Sequence, residues 1–167
     1  MAQEAFEKEN KNRKMPDLRS IHKEEKTPVK ERLKNEIGFV EIEKENILLP
    51  IFSGTSEKEL RDGVGIVEDT DIPSSKLGNT SVLAGHRGGY NGEQSFLNID
   101  KLEEGDKIKV STTSGKLQYK VLNKKIIKND DWSHFYREND KSKLILMTCH
   151  PYPTNKERLL VISELEK

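Results

Sequence analysis

The chain has a single cysteine, Cys149, which closes the apolar run KLILMTC. Cysteine suits acyl transfer because its thiolate is intrinsically nucleophilic and a thioester is an activated acyl group. That chemistry needs a proton donor and acceptor, and a group that stabilises a tetrahedral oxyanion. There are four histidines to consider for the first role. His22 lies in a charged stretch and His134 in the segment DWSHF. His150 follows Cys149 directly, and adjacent side chains of extended backbone point to opposite faces, so it is a poor partner. His86 ends TSVLAGH, just before a glycine-rich loop, and is the better candidate. For the second role there is Arg158, which opens RLLVIS nine residues after Cys149. An antiparallel return over a short loop would set it beside the cysteine strand. Its guanidinium is planar and always charged, suited to an oxyanion and able to lower the pKa of a neighbouring thiol.

Each of these residues also has a plainer reading. A free cysteine is often a small buried hydrophobe. A histidine at a strand end can be structural, and an arginine that opens a strand can simply face solvent. A zinc site from His86, His134, Cys149 and His150 is a rival, but it lacks the C-x-x-C or H-x-x-x-H pairs that such sites use. There is no G-x-S-x-G, phosphate loop or dinucleotide fingerprint.

The elements that must position these side chains are mostly strands. IGFVEIEKENILLPIF reads as two strands around a turn at EKEN, and NTSVLAGH as a strand running into His86. GDKIKVSTTSGKLQYKVLNKKIIK alternates about TSG, a hairpin signal. KLILMTC and RLLVISELE are the last two strands. TSEKELRDG predicts a helical turn or two, capped by Thr55 or Ser56 and stopped by Gly63. FLNIDKL is ambiguous, with a helical turn as one reading. NDDWSHFYREND is a loop with room for a short helix. Seven or eight short strands with little helix imply a closed barrel or sandwich.

Residues 1–36 differ in kind. They are rich in charges of both signs, poor in apolar residues and interrupted by Pro16 and Pro28. They read as a solvated tail or linker, with a short helix after Pro28 capped by Thr27. The 167 residues suit one domain plus such an appendage. Zero formal net charge argues against a general nucleic-acid binder. No apolar run reaches the roughly 18 residues of a membrane helix.

Taken together, LAGHRGG and LILMTCHPYPTNKERLLV resemble the two signature segments of the sortases, cysteine transpeptidases of the Gram-positive cell surface. LPIFSGTSEKELRDGVGIVEDTDIP and FLNIDKLEEGDKIKV resemble the segments flanking the histidine strand. The resemblance covers residues 37–166 and makes 37–167 a catalytic domain. It implies a mainly β fold, a closed eight-stranded barrel with a few short helices. It implies that Cys149 attacks the Thr–Gly bond of an LPXTG-type sorting signal, that His86 shuttles the proton and that Arg158 holds the substrate and oxyanion. Neutral thiol and imidazole would be the main resting form. Thr148, Ala84, Trp132 and Phe135 are the expected substrate contacts, the last two in a loop over the Leu-Pro part of the signal.

The implied partners are an LPXTG-bearing surface protein or pilin and an amine acceptor, either a peptidoglycan precursor cross-bridge or a pilin lysine. Nucleic acid is not among them. The implied location is the outer face of the cell membrane, held by an anchor that this chain does not carry. TCHPYPTNKERLLV and GHRG look most like the pilin-polymerising class C branch. The tail offers only KMPDLRS where that branch has an Asp-Pro-aromatic lid motif. No cofactor is expected; some sortases use calcium, for which Glu68, Asp69 and Asp71 could serve, but a solvated acidic loop is the simpler reading. The alternative function is a catalytically silent peptide-binding module of the same fold.

Overall fold

The computed structural model describes residues 36–86, 96, 98–150 and 156–166. Eight strands run in chain order: β1 (Glu36–Ile42), β2 (Ile47–Phe52), β3 (Val64–Ile66), β4 (Thr80–Ala84), β5 (Lys107–Thr112), β6 (Gly115–Lys128), β7 (Lys143–His150) and β8 (Glu157–Leu165). They close on themselves in the order β1-β2-β3-β4-β7-β8-β6-β5. The mainly β, closed eight-stranded barrel expected from the sequence is the fold observed. Two junctions, β2–β3 and β4–β7, are parallel, and the rest are antiparallel. Among the described residues one α-helix, α1 (Glu57–Asp62), carries the β2–β3 crossover, and 3-10 turns occur at Glu43–Glu45 and Ile99–Lys101.

Side chains divide between the two surfaces of the barrel wall. Val40, Leu49, Leu83, Leu144, Leu146, Leu159 and Val161 belong to the interior core. Val82, Ala84, Ile145, Met147, Leu160 and Ile162 form a second cluster on the outer surface of β4, β7 and β8, together with Trp132 and Phe135 of the segment between β6 and β7. This explains two different sequence textures. The β5–β6 hairpin alternates because its outer face meets water, whereas KLILMTC is continuously apolar because both of its faces are covered. The hairpin turns where TSG predicts, with Thr112 opposite Gly115.

α1 starts at Ser56, whose side chain accepts the Glu59 N–H while the Glu59 carboxylate accepts from Ser56 N–H, a reciprocal cap. Glu59 also accepts from Gly54 N–H at 3.1 Å, which ties the helix to the loop before it.

The sequence reading did not include β3. It has three residues, lies between the helix stop at Gly63 and the acidic Glu68, and lacks the length for a visible period. Its middle residue must be glycine: a Cβ on Gly65 would stand 1.8 Å from the Gly54 carbonyl oxygen. NDDWSHFYREND is a loop, as read, and the short helix it had room for does not form; turns fall at 129–130, 133–134 and 139–140. FLNIDKL contains the 3-10 turn Ile99–Lys101. The helix expected after Pro28 and most of the glycine-rich loop after His86 lie outside the described residues.

Candidate active site

The site is built where β4 and β7 end and β8 begins. β4 and β7 run parallel, with Ala84 in register with Met147, so both strands finish on the same rim of the barrel. The ladder continues one residue further, as Gly85 N–H donates to the Met147 carbonyl at 3.0 Å. β7 and β8 are antiparallel, and Cys149 stands opposite Arg158. The return stroke expected from the nine-residue spacing is thus the one observed.

Strand alternation puts the three side chains on one surface. Val82 and Ala84 are in the outer cluster, and His86 follows with the same parity. Ile145 and Met147 lead to Cys149, and Ile162 and Leu160 lead to Arg158 in the same way. The outer surface therefore reads, from base to rim, as an apolar floor ending in imidazole, thiol and guanidinium. All three are buried, with Cys149 at 0%, His86 at 3% and Arg158 at 5% exposure. Cys149 packs against Leu60 of α1, a contact not foreseen from sequence. Its signal was the capping box that anchors the helix. Arg158 is also oriented locally, its Nη1 donating to the Glu157 carbonyl at 3.0 Å.

His86 owes its place to the residue before it. The Gly85 carbonyl accepts the Thr148 hydroxyl at 2.8 Å, and its N–H is bonded to Met147, so both peptide groups around Gly85 are held by the cysteine strand. A Cβ at Gly85 would lie 2.8 Å from Phe96 and 2.9 Å from Val64. Just beyond, the His86 carbonyl accepts Phe96 N–H at 2.7 Å. Thr148, expected at the substrate, turns into the barrel with Leu144 and Leu146 and is fully buried.

Trp132 and Phe135 pack edge-to-face, their centroids 5.5 Å apart, against the floor that includes Ala84 and Met147. Both are buried, while Tyr136 is about half exposed at 49%. His134 stands 3.3 Å from Asp131 in the same loop and takes no part in the strand-end group. His22 and the side chain of His150 lie outside the described residues.

Among the described residues no group of three or more His, Cys, Asp or Glu side chains is arranged to hold a metal ion. Of the three acids considered for calcium, Asp71 is engaged by Arg137, at 2.8 Å and 3.1 Å. Burial pushes the Asp71 carboxyl up, but hydrogen bonds from Arg137 and Thr80 N–H, with the guanidinium charge, outweigh it and hold the group below its ordinary value.

The arrangement can perform nucleophilic acyl chemistry. It combines one thiol, one imidazole and one guanidinium with an apolar floor beside them.

Comparison with known proteins follows the same lines. Residues 40–166 match the family model described as the sortase domain. Sortase D of Bacillus subtilis is 35% identical over 115 residues, covering 69% of this chain and 54% of that protein. The chain thus spans about half the length of that curated relative. Among solved structures, sortase C from Clostridium perfringens superposes with a TM-score of 0.73 at 36% identity, covering 80% of this chain and 71% of the other. Sortase C1 of Streptococcus agalactiae gives 0.77 at 34% identity, covering 80% and 69%.

Proposed function

Since this chain belongs to the sortase family, we propose that it is a cysteine transpeptidase that cleaves an LPXTG-type sorting signal between Thr and Gly. The observation that carries the reading is the register that sets Cys149 opposite Arg158 while β4 delivers His86 to the same rim.

In the first step the Cys149 sulfur bonds to the threonine carbonyl carbon. The resulting oxyanion is met by the Arg158 guanidinium and backbone N–H groups. The C–N bond to glycine then breaks, and the leaving amine takes a proton by way of His86. In the second step an acceptor amine attacks the thioester, gives up its proton through His86, and releases the Cys149 thiol. Water in place of the amine gives slow hydrolysis. The acceptor is a peptidoglycan precursor cross-bridge or a pilin lysine, and the donor a surface protein or pilin bearing the signal.

We assign the Leu-Pro part of the signal to the apolar floor, with Ala84 on its strand side and Trp132 and Phe135 on its loop side. Thr148 acts from inside the wall by holding Gly85. The whole protein works on the outer face of the membrane, and no helix among the described residues is long and apolar enough to cross it. The sequence motifs, and likeness to two sortase C structures, favour the pilin-polymerising branch.

Mass spectrometry of products from an LPXTG peptide panel with competing amines tests the proposal. Expected are a thioester on Cys149 and a product joined to one preferred amine. A Cys149→Ala variant that still cleaves the peptides would sink it.

A further inference from the structure

The segment between β6 and β7, residues 129–142, contains Trp132, the chain's only tryptophan. In its first half Trp132 and Phe135 lie on the apolar floor. Its second half is charged, and Arg137 and Glu138 are fastened to the scaffold.

Arg137 reaches 66 positions back to Asp71, its Nη2 donating to Oδ1 at 2.8 Å and its Nε to Oδ2 at 3.1 Å. A two-point contact between planar groups fixes direction as well as distance. Asp71 is itself rigidly held. Its Oδ2 accepts Thr80 N–H at 2.9 Å, and its own N–H donates to the Thr80 carbonyl at 2.8 Å. Thr80 is the first residue of β4, the strand that leads to His86.

The next residue repeats the pattern on the neighbouring strand. Glu138 pairs at 3.1 Å with Lys143, which is buried, lies 4.1 Å from the centre of the Tyr136 ring, and is the first residue of β7. Consecutive loop residues are thus tied to the starts of the two strands that lead to His86 and to Cys149.

Exposed ion pairs contribute little to stability, and the Arg137 side chain is 53% exposed. What this pair sets is location. Two positions before Arg137 is Phe135, packed with Trp132 on Ala84 and Met147, each two residues short of His86 or Cys149.

We infer that Arg137 is a positioning residue for the substrate groove: its clasp on Asp71 sets how the Trp132–Phe135 pair sits over the floor beside Cys149. The inference rests on the sorting-signal reading above and adds to it a residue that touches neither substrate nor reacting atoms.

Arg137→Ala tests it by two independent readouts. Trp132 emission and its quenching by acrylamide follow the loop without any substrate. Steady-state transpeptidation of an LPXTG peptide follows the groove. The variant should show red-shifted, more quenchable Trp132 emission. Its KM should rise about three- to tenfold with kcat unchanged, the signature of binding lost equally from ground and transition states. Alkylation of Cys149 by iodoacetamide should keep its rate. Arg137→Lys should recover part of the KM, and the exchange of Arg137→Asp with Asp71→Arg should recover more than either single change.

Unaltered Trp132 emission in Arg137→Ala would overturn the clasp. An unaltered KM would overturn its bearing on the groove. A parallel loss of kcat and alkylation rate would overturn positioning in favour of a general disturbance of the fold. If the unmodified chain processes no such peptide, the sorting-signal reading fails, while the Trp132 signal still decides the clasp.

Discussion

Cys149 and Arg158 are directly opposed across the β7–β8 ladder, each at the rim end of its strand. Opposed residues on an antiparallel pair have their Cβ atoms about 5 Å apart, so the guanidinium reaches the thiol's surroundings without any help from loop conformation.

That opposition makes the shape of the cation matter. Arg158→Lys keeps the charge but loses the planar fork. Peptide turnover should fall by about 10²- to 10³-fold, the scale of losing one oxyanion donor. Single-turnover kinetics with the LPXTG peptide would measure it, and undiminished acylation would remove Arg158 from the mechanism.

Thr148 offers a cleaner dissection, because among the described residues its hydroxyl has one partner, the Gly85 carbonyl. Thr148→Val keeps the shape and deletes the donor, leaving a buried carbonyl short of a bond, at a cost of about 1–3 kcal/mol. Denaturant unfolding should register that loss, with activity falling further because His86 is no longer held. Thr148→Ser should restore most of both.

Gly85 should tolerate no side chain. A Cβ there would press on Phe96 at 2.8 Å and Val64 at 2.9 Å, so Gly85→Ala should cost about 1–3 kcal/mol by overpacking. Activity should drop more than stability, since the displaced residue is the one before His86. Thermal unfolding beside kcat/KM would separate the two effects.

Acid should release the loop from Asp71. Because the folded carboxyl titrates below its ordinary value of 3.8, the stability it contributes is fully present above that value. It is lost as the pH falls through the lower, folded value. The charges facing the carboxyl are Arg137 and Lys76, and Asp69 faces Arg137 in turn. Trp132 emission should therefore shift in an acid titration below about pH 4. In Asp71→Asn the shift should already be present at neutral pH. Asp131, also held low, chiefly by the Ser133 hydroxyl, titrates beside Trp132, and Asp131→Asn serves as its control.

The grouping of Cys149, His86 and Arg158 at neighbouring strand ends was legible because such residue types stood at the ends of apolar runs. Cys149 and Arg158 also lay at a spacing that an antiparallel return explains. β7 was legible as a strand for the same reason that it carried no alternation: it is covered on both sides. What escaped the sequence was whatever depends on distant partners. Nothing in RDGVGIVED marks a three-residue strand squeezed beside Gly54. Arg137 and Asp71 look like solvated charges in polar stretches until the fold brings them together. Trp132 and Phe135 stand in a polar stretch, and only the fold shows that they pack on Ala84 and Met147.

The ring of strands has one more consequence. With β5 returning to β1, no described strand is an edge strand over its whole length; only short stretches, such as residues 47–50 of β2 beyond its pairing with β3, are left without a neighbour on one side. Main-chain pairing along a whole strand, which is nearly indifferent to side chains, is thereby denied to any visitor. Selectivity must come from pockets and from segments slung between strands, which can change residue by residue while the wall that aligns the thiol stays the same.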